Sequence, residues 1–321
     1  IFEKKTGSGR YMETKMTDKL YGALDLGGSF LKYAYGNSRH GIIYDGRLQV
    51  MDATNNSCLL EVIHQAIQEI RAMRPDIDSF GMGSPGTVNV NKGMVTGVTP
   101  NLPELVKLEL KKEIEARDKI NIHIENDANL MAYAEASLYP GQSVLGITIG
   151  TGIGSGFVNE NGIFHGQDYS ALEIGHSIVK LDGRQCKCGK KGCVEAYSSA
   201  TSVMDICAET FPEIQFETIA DLYQKSQQNV ALNQKIRELN RFLALGIANT
   251  IMVLNPAVVC IGGGVVDIDS YDFEYLRKEI LDLLMGNYKT TLISKAHFGN
   301  RAGIYGGLLI AESCFLEHNL L

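Results

Sequence analysis

The chain has 321 residues, 45% of them hydrophobic, with 37 acidic against 30 basic side chains and a formal net charge of −7. Such a length accommodates two domains, and the negative balance argues against nucleic acid as the principal partner. No apolar run is long enough to cross a bilayer and no signal peptide is visible, while seven cysteines, odd in number and clustered, fit a reducing cytoplasm better than a disulfide framework.

Residues 1–19 are polar, charged and aperiodic. They read as a leader or a short extension, too short for a winged-helix DNA-binding domain. Leu20 to Asp25 reads as a buried strand that ends in Asp25-Leu26-Gly27-Gly28-Ser29. A strand ending in an acid and two glycines can bend sharply and offer backbone N–H groups to phosphate, with the Ser29 hydroxyl and the Lys32 charge nearby. Gly-Gly also makes ordinary hairpins, so the residues alone leave both readings open.

Apolar residues at Leu59, Ile63, Ala66, Ile67, Ile70 and Met73 have helical spacing, and Pro75 ends the pattern. Ile77 to Met82 reads as a strand, followed by the turn Gly83-Ser84-Pro85-Gly86-Thr87. Strand, crossover helix and strand predict an α/β domain. Ile122 to Glu125 is a short strand leading into Asn126-Asp127-Ala128-Asn129 and a helix over Ala128 to Ser137. An acid at the carboxyl end of a strand lies where open α/β sheets place their ligands. Asp127 is therefore either a ligand-facing acid or a helix cap.

Val144 to Gly150 is another apolar strand, ending in Gly150-Thr151-Gly152-Ile153-Gly154. Two strand-then-glycine loops, at Asp25 and at Gly150, suggest a duplicated architecture with phosphate as a shared ligand. The second strand runs through Phe157, turns at Asn159-Glu160-Asn161-Gly162 and returns over Ile163 to His165. Next come Glu173-Ile174-Gly175-His176, then Cys186-Lys187-Cys188-Gly189-Lys190-Lys191-Gly192-Cys193-Val194-Glu195. Three thiolates and one imidazole are a closed tetrahedral donor set, so His176, Cys186, Cys188 and Cys193 are assigned to one structural zinc site. Gly189 and Gly192 let the chain curl so that the sulfurs face one ion. A metal that fixes this loop also fixes the flanking acids Glu173 and Glu195, which suits a scaffold for a ligand better than metal-centred chemistry. Ala231 to Leu254 reads as a long helix ended by Asn255-Pro256. Ala257 to Ile261 is a strand closed by Gly262-Gly263-Gly264. Tyr271 to Met285 is a helix, Thr291 to Ser294 a short strand and Ala302 to Phe315 a closing helix.

The Glu-Ile-Gly-His run, the Cys-x-Cys-Gly-x-x-Gly-Cys-x-Glu run and the Ala196-Tyr197-Ser198-Ser199 that follows resemble the signature of the ROK family of bacterial sugar kinases and sugar-responsive repressors. The likeness extends from about Leu20 onward. Asp25 to Lys32 is similar to the first phosphate loop of actin-like, hexokinase-like ATPases, with Ser29 in place of threonine and Phe30 next to it. The resemblance implies a two-domain actin-like (ribonuclease H-like) α/β fold with a cleft, divided as 20–126 plus 303–321 and 127–302. It implies Asp127 as the base for a sugar hydroxyl, with Asn126, Gly86, Thr99, Asn101, Glu173, His176 and Glu195 around the sugar and His176 serving zinc as well. Asp25, Gly27, Gly28, Ser29, Lys32, Gly150, Thr151, Gly152, Gly263 and Gly264 would meet ATP and its Mg²⁺. Leu172 departs from the glycine usual before this family's glutamate. The implied protein is a cytoplasmic hexose kinase, with glucose as the default sugar, a homodimer without nucleic acid or membrane partners. A sugar-responsive regulator without kinase activity is the alternative.

Overall fold

The computed structural model describes residues 18–50, 56–97, 99, 102–106 and 108–319. The predicted leader (but for 18 and 19) and Asn101 lie outside them. Packing divides the chain into two units, 18–141 with 163–171 and 301–319, and 142–162 with 172–300.

The first unit holds β1 (Tyr21–Leu26), β2 (Phe30–Asn37), β3 (Gly41–Gln49), α1 (Asn56–Met73), β4 (Ser79–Ser84), a small ladder of β5 (Val88–Asn89) and β6 (Met94–Val95), α2 (Leu110–Asp118), β7 (Asn121–Asn126) and α3 (Asp127–Ala136). The second begins with β8 (Val144–Ile149), β9 (Ile153–Asn159) and β10 (Gly162–Ile163). It continues through α4 (Glu195–Ser198), α5 (Ala200–Thr210), α6 (Ile219–Ser226), α7 (Val230–Leu254), β11 (Val258–Gly262), α8 (Phe273–Leu283) and β12 (Leu292–Lys295). The closing helix α9 (Ala302–Asn319) belongs to the first unit.

The sheet of the first unit has the order β3-β2-β1-β4-β7, and that of the second β10-β9-β8-β11-β12. In each, the first strand after the glycine loop returns antiparallel (β1–β2, β8–β9) and the next two join in parallel (β4 and β7, β11 and β12). The same topology is built twice, as the paired glycine loops suggest. Strand alternation sorts the core of the first unit: Leu20, Leu24 and Leu26 face the apolar side of α1, whereas Tyr21 and Ala23 face Ile304 and Leu308 of α9. Asp25 shares the α9 side, where Gly303 leaves room for its carboxylate.

The sequence reading breaks the chain after Asn126, but packing keeps α3 in the first unit. The reason is its close approach to α9: a Cβ on Gly306 would lie 2.1 Å from the Leu130 carbonyl oxygen. Gly306→Ala should therefore cost about 1–3 kcal/mol through overpacking. A thermal melt indistinguishable from that of the unmodified chain would mean that the two helices do not touch there. A second difference concerns the return strand after the Gly162 turn, which is confined to Gly162–Ile163. From Ile163 the chain leaves its sheet and packs with the first unit, where the His165 ring meets Glu125.

Candidate active site

The candidate residues fall into two groups, one in each unit. In the first unit β7 ends at Asn126, which is the N-cap of α3; its Oδ1 accepts from Ala128 N and Asn129 N, each at 3.0 Å. The cap reading of Asp127 thus passes to its neighbour, and Asp127 stands at the first helical position. Asn126 Nδ2 donates to Gly86 O at 3.0 Å and to Asp127 Oδ1 at 3.2 Å. A side-chain amide has two N–H groups and one oxygen with two lone pairs. All four positions of Asn126 are engaged, so its side chain ties together the Gly86 turn, the helix start and the Asp127 carboxylate. Asp127 Oδ1 also accepts from Ala128 N at 2.8 Å, in keeping with the preference for negative charge in a helix's first turn.

Beneath this turn lies a group that the sequence reading passes over. Glu125 is 1% exposed. Its Oε1 accepts from Asn126 N at 2.8 Å and Asn129 Nδ2 at 3.0 Å, and its Oε2 lies 2.6 Å from His165 Nε2. A buried carboxylate is tolerated only when so satisfied. The only sequence signal was an acid closing a short strand, after Ile122 and Ile124, beside Asn-Asp. His165 arrives from 40 residues further along the chain, which local pattern cannot reveal. A second tie holds the same segment, Asn91 Nδ2 donating to Tyr169 OH at 2.7 Å.

On the same end of the sheet, Gly27, Gly28 and Ser29 form the exposed turn of the β1–β2 hairpin, closed by Gly27 N to Phe30 O at 2.9 Å. Lys32 Nζ lies 3.1 Å from Asp25 Oδ2, and Arg47 stands opposite Lys32 in register, over the Phe30 ring. A Cβ at Gly83 would lie 3.4 Å from Asp25 Oδ1 and 3.7 Å from Asp127 Cα, so the two acids flank one point. Thr99 is 3% exposed and its hydroxyl donates to Leu102 O at 2.6 Å; it braces its own loop.

In the second unit, Gly150, Thr151 and Gly152 form the turn between β8 and β9. Gly150 and Gly264 border open space, whereas Gly263, at φ +95°, lies against the Ile149 backbone, and Val265 N donates to Ile149 O at 3.1 Å. Gly263 thus has a packing reason to be glycine and Gly264 has none.

The ligand atoms of His176, Cys186, Cys188 and Cys193 all lie within 4.8 Å of one another. Cys186 Sγ is 3.7 Å from His176 Nδ1, and Cys188 Sγ is 3.6 Å from Cys193 Sγ. A tetrahedron with Zn–S bonds near 2.3 Å has edges of about 3.8 Å, so the donors fit zinc. Burial pushes the Cys193 thiol up to about 12, so a cation is what would make it a thiolate. The loop itself is held by backbone bonds, Cys186 N to Lys190 O and Gly192 N to Arg184 O, both 2.8 Å. Gly192 has φ +80° and a Cβ there would lie 1.7 Å from Lys180 O; only glycine fits.

With Nδ1 of His176 on the sulfur side, Nε2 is left for another partner. Glu173 is exposed by surface area yet crowded by protein atoms. That crowding, and then the Glu195 charge, push its carboxyl above the ordinary range against the opposing influence of His176; a dication on His176 would oppose the rise further. Glu195 opens α4 and its Oε2 accepts from Ile153 N at 2.8 Å. Leu172, the departure noted in the sequence, has φ +65°, the left-handed conformation that glycine adopts without strain. Its carbonyl accepts from the Ser155 hydroxyl and from Ile174 N.

These features agree with comparison to known proteins. The chain belongs to the ROK family, whose model matches residues 21–313. Its doubly built sheet is the actin-like ATPase fold of that family's sugar kinases. A glucokinase of Thermotoga maritima is 30% identical over 72% of this chain and 78% of its own length. An N-acetyl-D-glucosamine kinase of Vibrio parahaemolyticus is 26% identical over 91% of this chain and 99% of its own. The crystal structure of a ROK glucokinase from Streptomyces griseus with glucose and AMPPNP superposes with a TM-score of 0.76 at 25% identity, covering 90% of this chain and 97% of that one. Among the described residues, no helix is long and apolar enough to cross a membrane.

Proposed function

We propose that this ATP-dependent sugar kinase transfers the γ-phosphoryl group to O6 of a hexose of gluco configuration, glucose foremost. The observation that carries the reading is the placement of Asp127. It stands at the first position of α3, anchored by the saturated Asn126 amide, on the sheet end that also presents Asp25 and the glycine hairpin.

In this reading Asp127 accepts the O6 proton while the new O–P bond forms and the bond from Pγ to the bridging oxygen breaks, releasing ADP. Phosphoryl transfer depends chiefly on positioning and charge stabilisation. Lys32 and the N–H groups of Gly28 and Ser29 supply positive potential for phosphate oxygens, and Arg47, exposed beside Lys32, adds to it. In the second unit the Gly150–Gly152 turn and the open Gly264 serve the nucleotide. Asp25 is the acid suited to hold Mg²⁺, through water; when bound with ATP this ion would neutralise charge on the phosphates. Glu173, Glu195 and His176 Nε2 receive the ring hydroxyls. A site of several hydrogen-bonding groups rejects sugars that lack one of the matching hydroxyls, because a partner is then left unpaired. The three cysteines and His176 Nδ1 would hold zinc, which would be structural and would steady both acids. Asn126 would have to give up its bond to Asp127 before it could bond the sugar, so its part is to orient the base.

ADP release with Mg-ATP and a panel of glucose, N-acetylglucosamine, N-acetylmannosamine and fructose tests the proposal. Turnover should be highest with glucose. Tight sugar binding with no ADP released for any member would instead place the chain with the family's regulators.

A further inference from the structure

One carboxylate in the second unit serves two neighbours. Glu195 Oε2 receives the Ile153 N–H at 2.8 Å, at the point where the β8–β9 turn re-enters the sheet. A Cβ on Gly152 would lie 2.7 Å from the same oxygen, so the turn is seated on the carboxylate. Two further bonds come from the residues just beyond α4: Ala200 N donates to Gly150 O at 2.8 Å and Thr201 Oγ1 to Thr151 O at 3.2 Å. The whole turn thus hangs from the short stretch 195–201. That stretch begins two residues after Cys193, whose neighbour Val194 is tied back through its N–H to Ser177 O at 3.0 Å.

We propose that Glu195 is a positioning residue for the nucleotide. Oε2 holds the Gly150–Ile153 turn in its phosphate-receiving shape, and Oε1 is left to meet the sugar. The inference rests on the reading of that turn as a phosphate loop. It separates the roles of the two acids at the ends of the metal loop, since no hydrogen bond links the Glu173 side chain to the turn among the described residues. It also predicts that an acid assigned to the sugar controls affinity for ATP in the absence of any sugar. A hydrogen bond to an ionised acceptor is strong enough for its loss to be measured as roughly a tenfold or greater change in affinity.

The test uses the full chain with Mg-AMPPNP alone, titrated by calorimetry, and hydrogen exchange of the peptide covering 150–154. Glu195→Ala should weaken AMPPNP by roughly tenfold or more and speed exchange in that peptide. Glu195→Gln keeps an oxygen acceptor for Ile153 N–H and should stay within about threefold of the unmodified chain in both readings, while its sugar KM rises. Melting curves and metal content of both variants identify a general loss of folding. Unchanged AMPPNP affinity and exchange in Glu195→Ala would overturn the inference. So would a Gln variant that falls as far as the Ala variant while still folded. If the unmodified chain fails to bind AMPPNP yet exchange still responds to Glu195→Ala, the phosphate-loop reading is the part that is wrong.

Discussion

Asp127→Asn should bind sugar and Mg-ATP within a few-fold of the unmodified chain and lose about two to four orders of magnitude in kcat, the usual worth of a general base. The structure makes this substitution clean. Asp127 Oδ1 accepts from Ala128 N at 2.8 Å and from Asn126 Nδ2 at 3.2 Å, and an asparagine oxygen can accept both. The cap of α3 belongs to Asn126 and is untouched. Folding should change by less than about 1 kcal/mol, since both of these bonds can be kept. What disappears is the capacity to take a proton. A variant that keeps its turnover number would remove Asp127 from the reaction. One whose sugar affinity collapses together with kcat would make it a binding group instead.

Removal of the metal should have the largest effect on stability. One zinc per chain is expected, and a strong chelator or Cys193→Ser should lower the melting temperature by on the order of 10 °C. That figure follows from a loss of about 3–5 kcal/mol at roughly 2–4 °C per kcal/mol for a protein of this size. The sulfur of Cys193 is buried and sits 3.6 Å from that of Cys188, so a serine there removes a buried sulfur donor and leaves a hydroxyl facing the remaining thiols. The exposed Cys188 should be the milder site, and Cys188→Ser should weaken sugar binding as well as folding. Because Val194 and Glu195 follow Cys193 directly, loosening the loop should also reach the Gly150 turn. A purified chain with no zinc and an unaltered melt in chelator would remove the metal from the account.

Much of the candidate site was legible because the residues concerned are close in sequence. Asn126 and Asp127 are adjacent, and the three cysteines occupy eight positions. Gly189 and Gly192 have φ of +89° and +80°, as a chain curling round an ion requires. α7 was legible because 25 residues of sustained period leave little choice. By contrast α2 escaped reading: in Leu110-Lys-Lys-Glu-Ile114-Glu-Ala-Arg-Asp118 only Leu110, Ile114 and Asp118 are buried, too few apolar positions to mark a face. β2 and β3 carry weak alternation because β3 is largely exposed. A helix that ends the chain could be foreseen, but not that α9 lies so close to α3 and β4 that Gly306 and Gly81 must lack side chains.

By itself the sequence determined the local chemistry of this protein: a cysteine–histidine cluster, glycine turns at two strand ends, and an acid behind a capping asparagine. Each of these is written within a few residues, where spacing dictates geometry. The tertiary structure alone decided which of those groups still have hydrogen-bonding capacity to spare. The Asn126 amide is fully engaged, the Thr99 hydroxyl is turned inward, and one oxygen of Glu195 is already given to Ile153 N–H. His165 likewise reaches the buried Glu125 only once the chain has left its own sheet. Hydrogen bonds between distant segments depend on the packed backbone, and a linear pattern carries no record of them.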